Sequence, residues 1–296
     1  MIAQEKCFIC NGGEYSVLLP QIPRFGLAEL VRCKGCGTTR FFFASEFWER
    51  RQRSQFWDTD VHYEAYIDSA VLEQFFQRYS RYLPHLRDLA GEKLLDIGCG
   101  LGTFLQFAKA HGFQVAGLES DPKAAEIARK KVDCEVVTAT IETSSFQDAS
   151  FDIIVMWDVI EHLVDPRAAI ERVAKMLRPG GKLVIETPNE RFFMRGVTRF
   201  VEKLSGYRLR VAKYFYYVEH KFYFNPANIT RFLQGMGFDT VQVFQDKSIS
   251  LREQKIFSRG KFPLAGLAMR MIPLVLAMSN LLPNQNKMVV IARRVK

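Results

Sequence analysis

The N-terminus, MIAQEKCFIC, lacks both an apolar stretch and a small-residue cleavage site, so nothing in it suggests secretion and the cytoplasm is the expected location. Acidic residues are in deficit: 32 Asp plus Glu stand against 41 Lys plus Arg, a formal charge of +9. That balance favours an anionic surface, an anionic substrate or nucleic acid without choosing among them. Histidine is scarce, at five residues, so the two that fall in motif-like stretches stand out. An unbroken long apolar run is missing too. FPLAGLAMRMIPLVLAMSNLLP has the length of a membrane span, but Arg270 and Pro273 interrupt it and the chain must return at once to MVVIARR. A spanning helix is therefore not expected. Segment 262–282 reads instead as packing on the core or in a homodimer contact, or as an interfacial helix giving peripheral contact with the inner face of the membrane. No internal repeat or low-complexity tract is present, which excludes a solenoid. What remains is 296 residues with 48% hydrophobic content, enough for one large domain plus a small one.

Of six cysteines, four form two C-x-x-C pairs: Cys7 with Cys10 in CFIC, and Cys33 with Cys36 in CKGC. Each pair lets two thiolates face one ion from a tight turn, and two such turns close a tetrahedral zinc site. Four thiolates leave no open coordination position, so the zinc is expected to be structural. Gly12, Gly13, Gly35 and Gly37 suit the turns. A redox dithiol lacks a thioredoxin-like context here, and Cys99 and Cys134 stand apart as small buried residues. Residues 1–45 thus read as a zinc-ribbon module too small to fold without its metal. Residues 46–90, free of glycine and of proline until Pro84, carry aromatic and charged residues at helical spacing, as in VLEQFFQRYSRYL, and read as a helical bridge.

From Lys93 short apolar runs alternate with amphipathic helices: KLLDIG, QVAGLES, CEVVTAT, FDIIVMW, GKLVIETPN, TVQVF and MVVIARR. This is the rhythm of a doubly wound, Rossmann-like α/β sheet. Asp121-Pro122, Asp165-Pro166 and Asn225-Pro226 each place a capping side chain just before a proline suited to the first helical position.

LLDIGCGLGTFL follows the first strand. Gly98, Gly100 and Gly102 let the backbone turn sharply and come close to a ligand. A dinucleotide fingerprint requires glycine where Thr103 stands, so the spacing is wrong for NAD. Asp96, two residues before the first glycine, opposes a pyrophosphate but suits a ligand bearing an ammonium and a sulfonium, as S-adenosylmethionine does. Further on, at the end of VAGLES, Glu119 is placed to accept hydrogen bonds from two ribose hydroxyls.

In combination, DIGCGLG, GLES, the acidic-aromatic end of FDIIVMWD and RPGGKLVIETPN resemble the successive motifs of class I S-adenosylmethionine-dependent methyltransferases, over roughly residues 60–296. The resemblance implies a seven-stranded sheet over 91–296 whose last strand, MVVIARR, returns antiparallel beside the sixth, with insertions at about 190–221 and 245–286. It also implies that Asp96, Gly98, Cys99, Gly100 and Gly102 wrap the methionine end, that Glu119 binds the ribose, and that Ser120 lies beside the adenine. Trp157 and Asp158 would face the cofactor. Thr140 stands where the family often has an Asp for the adenine amino group, followed by Ile141; a threonine can still accept that hydrogen bond.

Methyl transfer from a sulfonium is an in-line displacement, so the protein aligns donor and acceptor and, for a hydroxyl acceptor, removes a proton. His162 in DVIEHL and His220 in YYVEHKFYFNP are the candidate bases. A divalent metal at Asp158, Glu161 and His162 is the alternative use of that segment, because Asp158 and His162 are four apart and share a helical face. This segment also resembles ubiquinone-type O-methyltransferases, where acids and a neighbouring histidine can hold such an ion. The first insertion carries eight Lys or Arg against two Glu, with aromatics interleaved, and reads as a cover for an anionic or ring-bearing acceptor. An Asn-Pro-Pro-aromatic motif is absent after the fourth strand, which argues against exocyclic amino methylation of DNA bases.

The expected activity is S-adenosylmethionine-dependent methyl transfer, at oxygen, to a small-molecule, sugar or lipid-linked acceptor. Ribosomal or transfer RNA methylation is the alternative, since some ribosomal-RNA methyltransferases carry an N-terminal zinc ribbon and the net charge suits phosphate contacts. Zinc-ribbon members that methylate sugars at carbon leave the acceptor atom open. A non-catalytic binding protein that keeps this fold is the reading from another class.

Overall fold

The computed structural model describes residues 6–20, 28–43, 69–86, 92–209, 211–217, 219–246 and 285–295. The segment 262–282, nearly all of the second insertion and the first part of the helical bridge lie outside the described residues.

In the N-terminal segment β1 (Tyr15–Leu19), β2 (Glu29–Cys33) and β3 (Thr39–Phe42) form an antiparallel meander. α1 (Ser69–Leu86) is the described part of the helical bridge and buries Tyr79, Tyr82 and Leu86. The α/β alternation then follows as β4 (Lys93–Ile97), α2 (Thr103–Ala110), β5 (Gln114–Glu119), α3 (Pro122–Val132), β6 (Glu135–Thr138), β7 (Phe151–Trp157), α4 (Pro166–Met176) and β8 (Leu177–Pro188). After β8 come α5 (Phe193–Leu204), β9 (Phe222–Tyr223), α6 (Pro226–Gln234), β10 (Phe238–Asp246) and β11 (Lys287–Arg294).

Seven strands make one sheet in the order β10-β11-β8-β7-β4-β5-β6. Strands β4 to β8 are parallel, and β11 inserts antiparallel between β8 and β10. The antiparallel last strand expected of MVVIARR is present, flanked by the fifth and the sixth strands of this sheet. Strand order reverses at β4, whose neighbours are β5 on one side and β7 on the other, so a crevice opens beyond the carboxyl ends of β4 and β7.

All three Asx-Pro starts are observed. Asp121 Oδ1 accepts from the amides of Lys123 (2.9 Å) and Ala124 (3.0 Å), and Asp165 Oδ1 from those of Arg167 (3.0 Å) and Ala168 (3.1 Å). Asn225 and Asn228 cap each other reciprocally at α6. Each cap satisfies amides that the helix itself leaves orphaned, for about 1 kcal/mol apiece.

Strand alternation divides the core into two layers. Ile154, Met156, Leu183 and Ile185 face α4 and α6, while Ile153, Val155 and Val184 face the aromatic side chains of α1 and α2. The N-terminal segment packs on the first layer through Phe8 and Ile9. The free edge of β3 pairs with β9, Thr39 with Tyr223 and Arg40 with Phe222, giving a second sheet β1-β2-β3-β9. Phe8 meets Phe222 and Phe232 edge-on, with ring centroids 4.7 and 5.2 Å apart, and its carbonyl accepts from Arg167 Nε at 3.1 Å.

Candidate active site

The glycine loop leaves β4 with Gly98, Gly100 and Gly102 at φ of 70°, 52° and 75°, in the left-handed region. At Gly98 a Cβ would also lie 2.6 Å from Val159 Cγ2, because the exits of β4 and β7 touch across the crevice. Leu118 O accepts from the amides of Gly98 (2.7 Å) and Cys99 (3.2 Å), which ties the loop to β5. Glu119, at the end of β5, completes the tie. Its Oε2 accepts from Gly100 N at 2.9 Å and its Oε1 from Asp121 N at 2.9 Å, with Ser120 Oγ at 3.4 Å. Burial pushes the Glu119 carboxyl up, and the amide bonds oppose that shift.

Asp96 is 2% exposed, and its Oδ1 is buried with no hydrogen-bond partner. Burial, then the negative charge of Glu119, hold its carboxyl well above the usual range. Two buried carboxyl groups beside a loop without Cβ atoms at its turns make a site that attracts a cation bearing hydrogen-bond donors and repels a phosphate. Cys99 and Ile141 are buried around this point, whereas Ser120 and Thr140 are exposed, and the Thr140 hydroxyl lies 3.1 Å from that of Thr143.

Trp157 ends β7 with its ring packed on Tyr79 and Phe104, centroids 4.9 and 5.2 Å away, and its Nε1 buried without a partner. Asp158 follows at φ 56°, its amide donating to Glu186 O at 3.1 Å. Its Oδ2 accepts from Lys287 Nζ, which also reaches Glu186 Oε1 at 2.9 Å; Arg78 NH1 lies 3.2 Å from that same Glu186 oxygen. Burial works to raise the Asp158 carboxyl, but Lys287 and Arg78 outweigh it and hold the group below the usual carboxylate range. Glu186, Lys287 and Arg78 come from β8, β11 and α1, and sequence reading missed all three. The one signal available was an acid inside the apolar run KLVIETP.

The two candidate bases are neighbours. A 3₁₀ turn, Ile160–His162, carries His162, whose ring centroid is 4.7 Å from that of His220 at an interplanar angle of 87°. His162 Nδ1 lies 2.9 Å from Glu219 O. A carbonyl can only accept, so Nδ1 carries the proton and Nε2 presents its lone pair. Burial lowers the His162 pKa and keeps the ring neutral. Glu161 is fully buried: Oε2 accepts from Thr187 Oγ1 at 3.0 Å, and Oε1 has no partner. Burial and then Asp158 push its carboxyl well up. Ligand atoms of Glu161, His162 and His220 lie within 4.8 Å of one another. The grouping thus differs from the Asp158, Glu161 and His162 set expected for a metal, because Lys287 ties up Asp158 and the return of the chain through β9 delivers His220 instead.

The four paired cysteines also meet. Cys7 and Cys36 sulfurs are 3.5 Å apart, as are those of Cys10 and Cys33, all four lie within 4.8 Å, and none is in a disulfide. A ZnS4 tetrahedron with bonds of about 2.3 Å has S–S edges of roughly 3.8 Å, so the donor set fits. At Gly35 a Cβ would sit 3.0 Å from Cys10 Sγ, so a side chain there would crowd the cluster. The cluster is linked to the histidines. Phe41 N donates to Lys221 O at 3.1 Å, next to His220, and Arg32 of β2 and Arg199 of α5 both reach the buried Glu190, at 2.8 and 2.7 Å.

Comparisons with known proteins agree with this fold. Residues 63–243 match the family described as Methyltransferase domain. The chain is similar to the ubiquinone biosynthesis O-methyltransferase of Idiomarina loihiensis, 34% identical over 113 residues that make up 36% of this chain and 46% of that protein. Against the protein of the same name from Thiobacillus denitrificans it is 27% identical over 172 residues, 55% of this chain and 71% of that one. The chain thus spans about half the length of the first of these relatives. In fold it is similar to a SAM dependent methyltransferase from Archaeoglobus fulgidus, with a TM-score of 0.52 at 20% identity, covering 75% of this chain and 94% of that one.

Proposed function

This chain belongs to the methyltransferase-domain family, and from that premise we propose that it transfers the methyl group of S-adenosylmethionine to a hydroxyl oxygen of a small-molecule, sugar or lipid-linked acceptor. The observation that carries the donor assignment is the unpartnered, buried carboxylate oxygen of Asp96 beside the glycine loop. Asp96 would hold the ammonium, and Glu119, whose Oε2 keeps a second lone pair after binding the Gly100 amide and whose Oε1 accepts from the Asp121 amide and, at 3.4 Å, from the exposed Ser120 hydroxyl that a ribose hydroxyl would displace, would hold the ribose hydroxyls. When bound, the cofactor supplies an electrophilic methyl carbon on a positively charged sulfur. Relatives named as O-methyltransferases support oxygen as the acceptor atom.

The protein's own part is alignment and proton removal. His162 would take the proton of the acceptor hydroxyl at Nε2, and the cofactor's sulfur would leave as the neutral thioether. The Glu219 carbonyl fixes the tautomer, and the negative charge of Asp158 favours the imidazolium that forms. His162→Ala is expected to lower kcat by about 10²–10⁴-fold while affinity for S-adenosylhomocysteine is unchanged. Turnover that survives the substitution would pass the role to His220. We also propose that Cys7, Cys10, Cys33 and Cys36 hold a structural zinc ion.

Donor binding should be linked to a proton. In the free protein burial and Glu119 favour protonated Asp96, whereas a cationic ligand favours the carboxylate, so binding releases a proton. Affinity then rises with pH up to the raised value of Asp96 and levels off above it. Calorimetry in two buffers of different ionisation enthalpy measures the release directly, and equal heats in both would refute it. Absence of any binding of S-adenosylhomocysteine to the wild-type chain would sink the methyltransferase reading as a whole.

A further inference from the structure

Helix α5 leaves the carboxyl end of β8 with an apolar face turned to water. Met194, Arg195, Thr198 and Glu202 point inward, while Phe193, Phe200 and Leu204 are 45%, 63% and 72% exposed. Positions 193, 200 and 204 share one side of the helix, and the turn after it adds Tyr207 and Leu209, both exposed. Side chains of this size, exposed together on one helix and its following turn, mark a surface that meets something. Among residues 190–209 the exposed charges have one sign. Arg191, Lys203 and Arg208 are exposed beside the apolar residues, whereas Glu190 and Glu202 are buried, Glu202 accepting from Ala212 N at 3.0 Å.

We propose that this face of α5 docks on an anionic lipid bilayer, with Phe193, Phe200, Leu204 and Leu209 entering the headgroup boundary and Arg191, Lys203 and Arg208 meeting lipid phosphates. Charge selects the occupant. A second copy would bring like cations together across a two-fold axis, and the chain as a whole carries +9. The apolar chemistry separates lipid from nucleic acid. Leucines do not stack on bases, and hydrocarbon accepts Leu and Phe alike. The helix would lie in the interface and not cross it, since no helix among the described residues is long and apolar enough to span. Docking here would set the rim that carries the histidines beside the bilayer, within reach of an acceptor with a lipid tail. The inference stands on surface chemistry and is independent of the methyl-transfer reading.

The test is flotation of the full chain with vesicles of equal parts phosphatidylcholine and phosphatidylglycerol, compared with phosphatidylcholine alone. Wild type should float with the anionic vesicles and be released by high salt. The double variant Phe200→Glu/Leu204→Glu should bind them at least about tenfold more weakly while keeping its affinity for S-adenosylhomocysteine, which shows that the fold is intact. Arg191→Glu/Lys203→Glu should lose the preference for anionic lipid. Wild type that stays at the bottom of the gradient, or a double variant that floats as well as wild type, overturns the proposal. So does a wild-type dimer in light scattering that the double variant abolishes, or single-stranded RNA binding that it abolishes without any change in flotation.

Discussion

Chelation of the proposed zinc ion is expected to stop turnover while leaving the donor site able to bind S-adenosylhomocysteine. The N-terminal sheet has a small core of its own, built on Leu19, Ala28, Leu30 and Phe41 with Tyr216 and Tyr223 from the larger domain. Structural zinc sites supply about 10–16 kcal/mol of apparent binding free energy, so a meander of this size would depend on the proposed metal. Without it, β3 loses its support, and β3 is what pairs with β9 two residues after His220. Phe8, Phe41 N and Arg32 would release their holds on Phe222, Lys221 O and Glu190 together. The Glu219 carbonyl that fixes the His162 tautomer lies in the same segment. Asp96, Glu119 and the glycine loop are built on β4 and β5, away from these contacts. A metallochromic dye should therefore report stoichiometric zinc as near-ultraviolet circular dichroism and turnover fall, with the calorimetric isotherm for S-adenosylhomocysteine preserved. Full turnover after complete zinc release would disprove the coupling. A protein that carries no zinc as purified from zinc-replete cells would disprove the metal.

Lys287→Met should cost about 3–5 kcal/mol of stability, visible as a clear fall in Tm. Lys287 is 8% exposed and lies between Asp158 and the fully buried Glu186. Removing it leaves one cation, Arg78, against two carboxylates. The sign of the pH dependence follows. In wild type the depressed pKa of Asp158 contributes stability that is present above the ordinary carboxylate value and is lost as pH falls through the folded value. Without Lys287 that contribution is gone, while protonation of Glu186, already raised by burial, relieves the uncompensated charge. Both effects narrow the gap between variant and wild type in acid and widen it towards neutrality. The double variant Lys287→Met/Glu186→Gln should recover most of the loss, because replacing both members of a buried pair costs far less than orphaning one. Equal Tm values for wild type and Lys287→Met would show that the cluster contributes nothing.

The parts of this fold that are legible in the sequence are those written in local chemistry. Asp121, Asp165 and Asn225 cap the helices that their Asx-Pro pairs announce, and DIGCGLG turns at the glycines that its spacing requires. The cysteine pairs are legible for the same reason, since each C-x-x-C turn is built locally before two of them meet. What stays hidden is whatever depends on elements brought together from far apart. Nothing in YYVEHKFYFNP marks two residues as a strand, yet that strand places His220 against His162. Lys287 stands just before the MVVIARR strand and carries no sequence mark until β11 is laid antiparallel to β8, which puts it opposite Pro188 and beside Glu186. Likewise Asp158 carries the sequence marks of a cofactor or metal residue, and only the fold shows that Lys287 and Arg78 engage it.

The pairing of β3 with β9 also has a consequence for the order of synthesis. Arg40 leaves the ribosome early, and Phe222, its partner, emerges only after most of the large sheet has been made. Until then the meander presents an open strand edge with Phe41 and Phe42 on it, the kind of edge that recruits other chains. Closing so long a loop is slow, so the N-terminal segment must wait through most of translation before its sheet is complete. Capture of the proposed zinc ion by the four cysteines would require no residue beyond Cys36, and it would hold the first three strands in register during that wait.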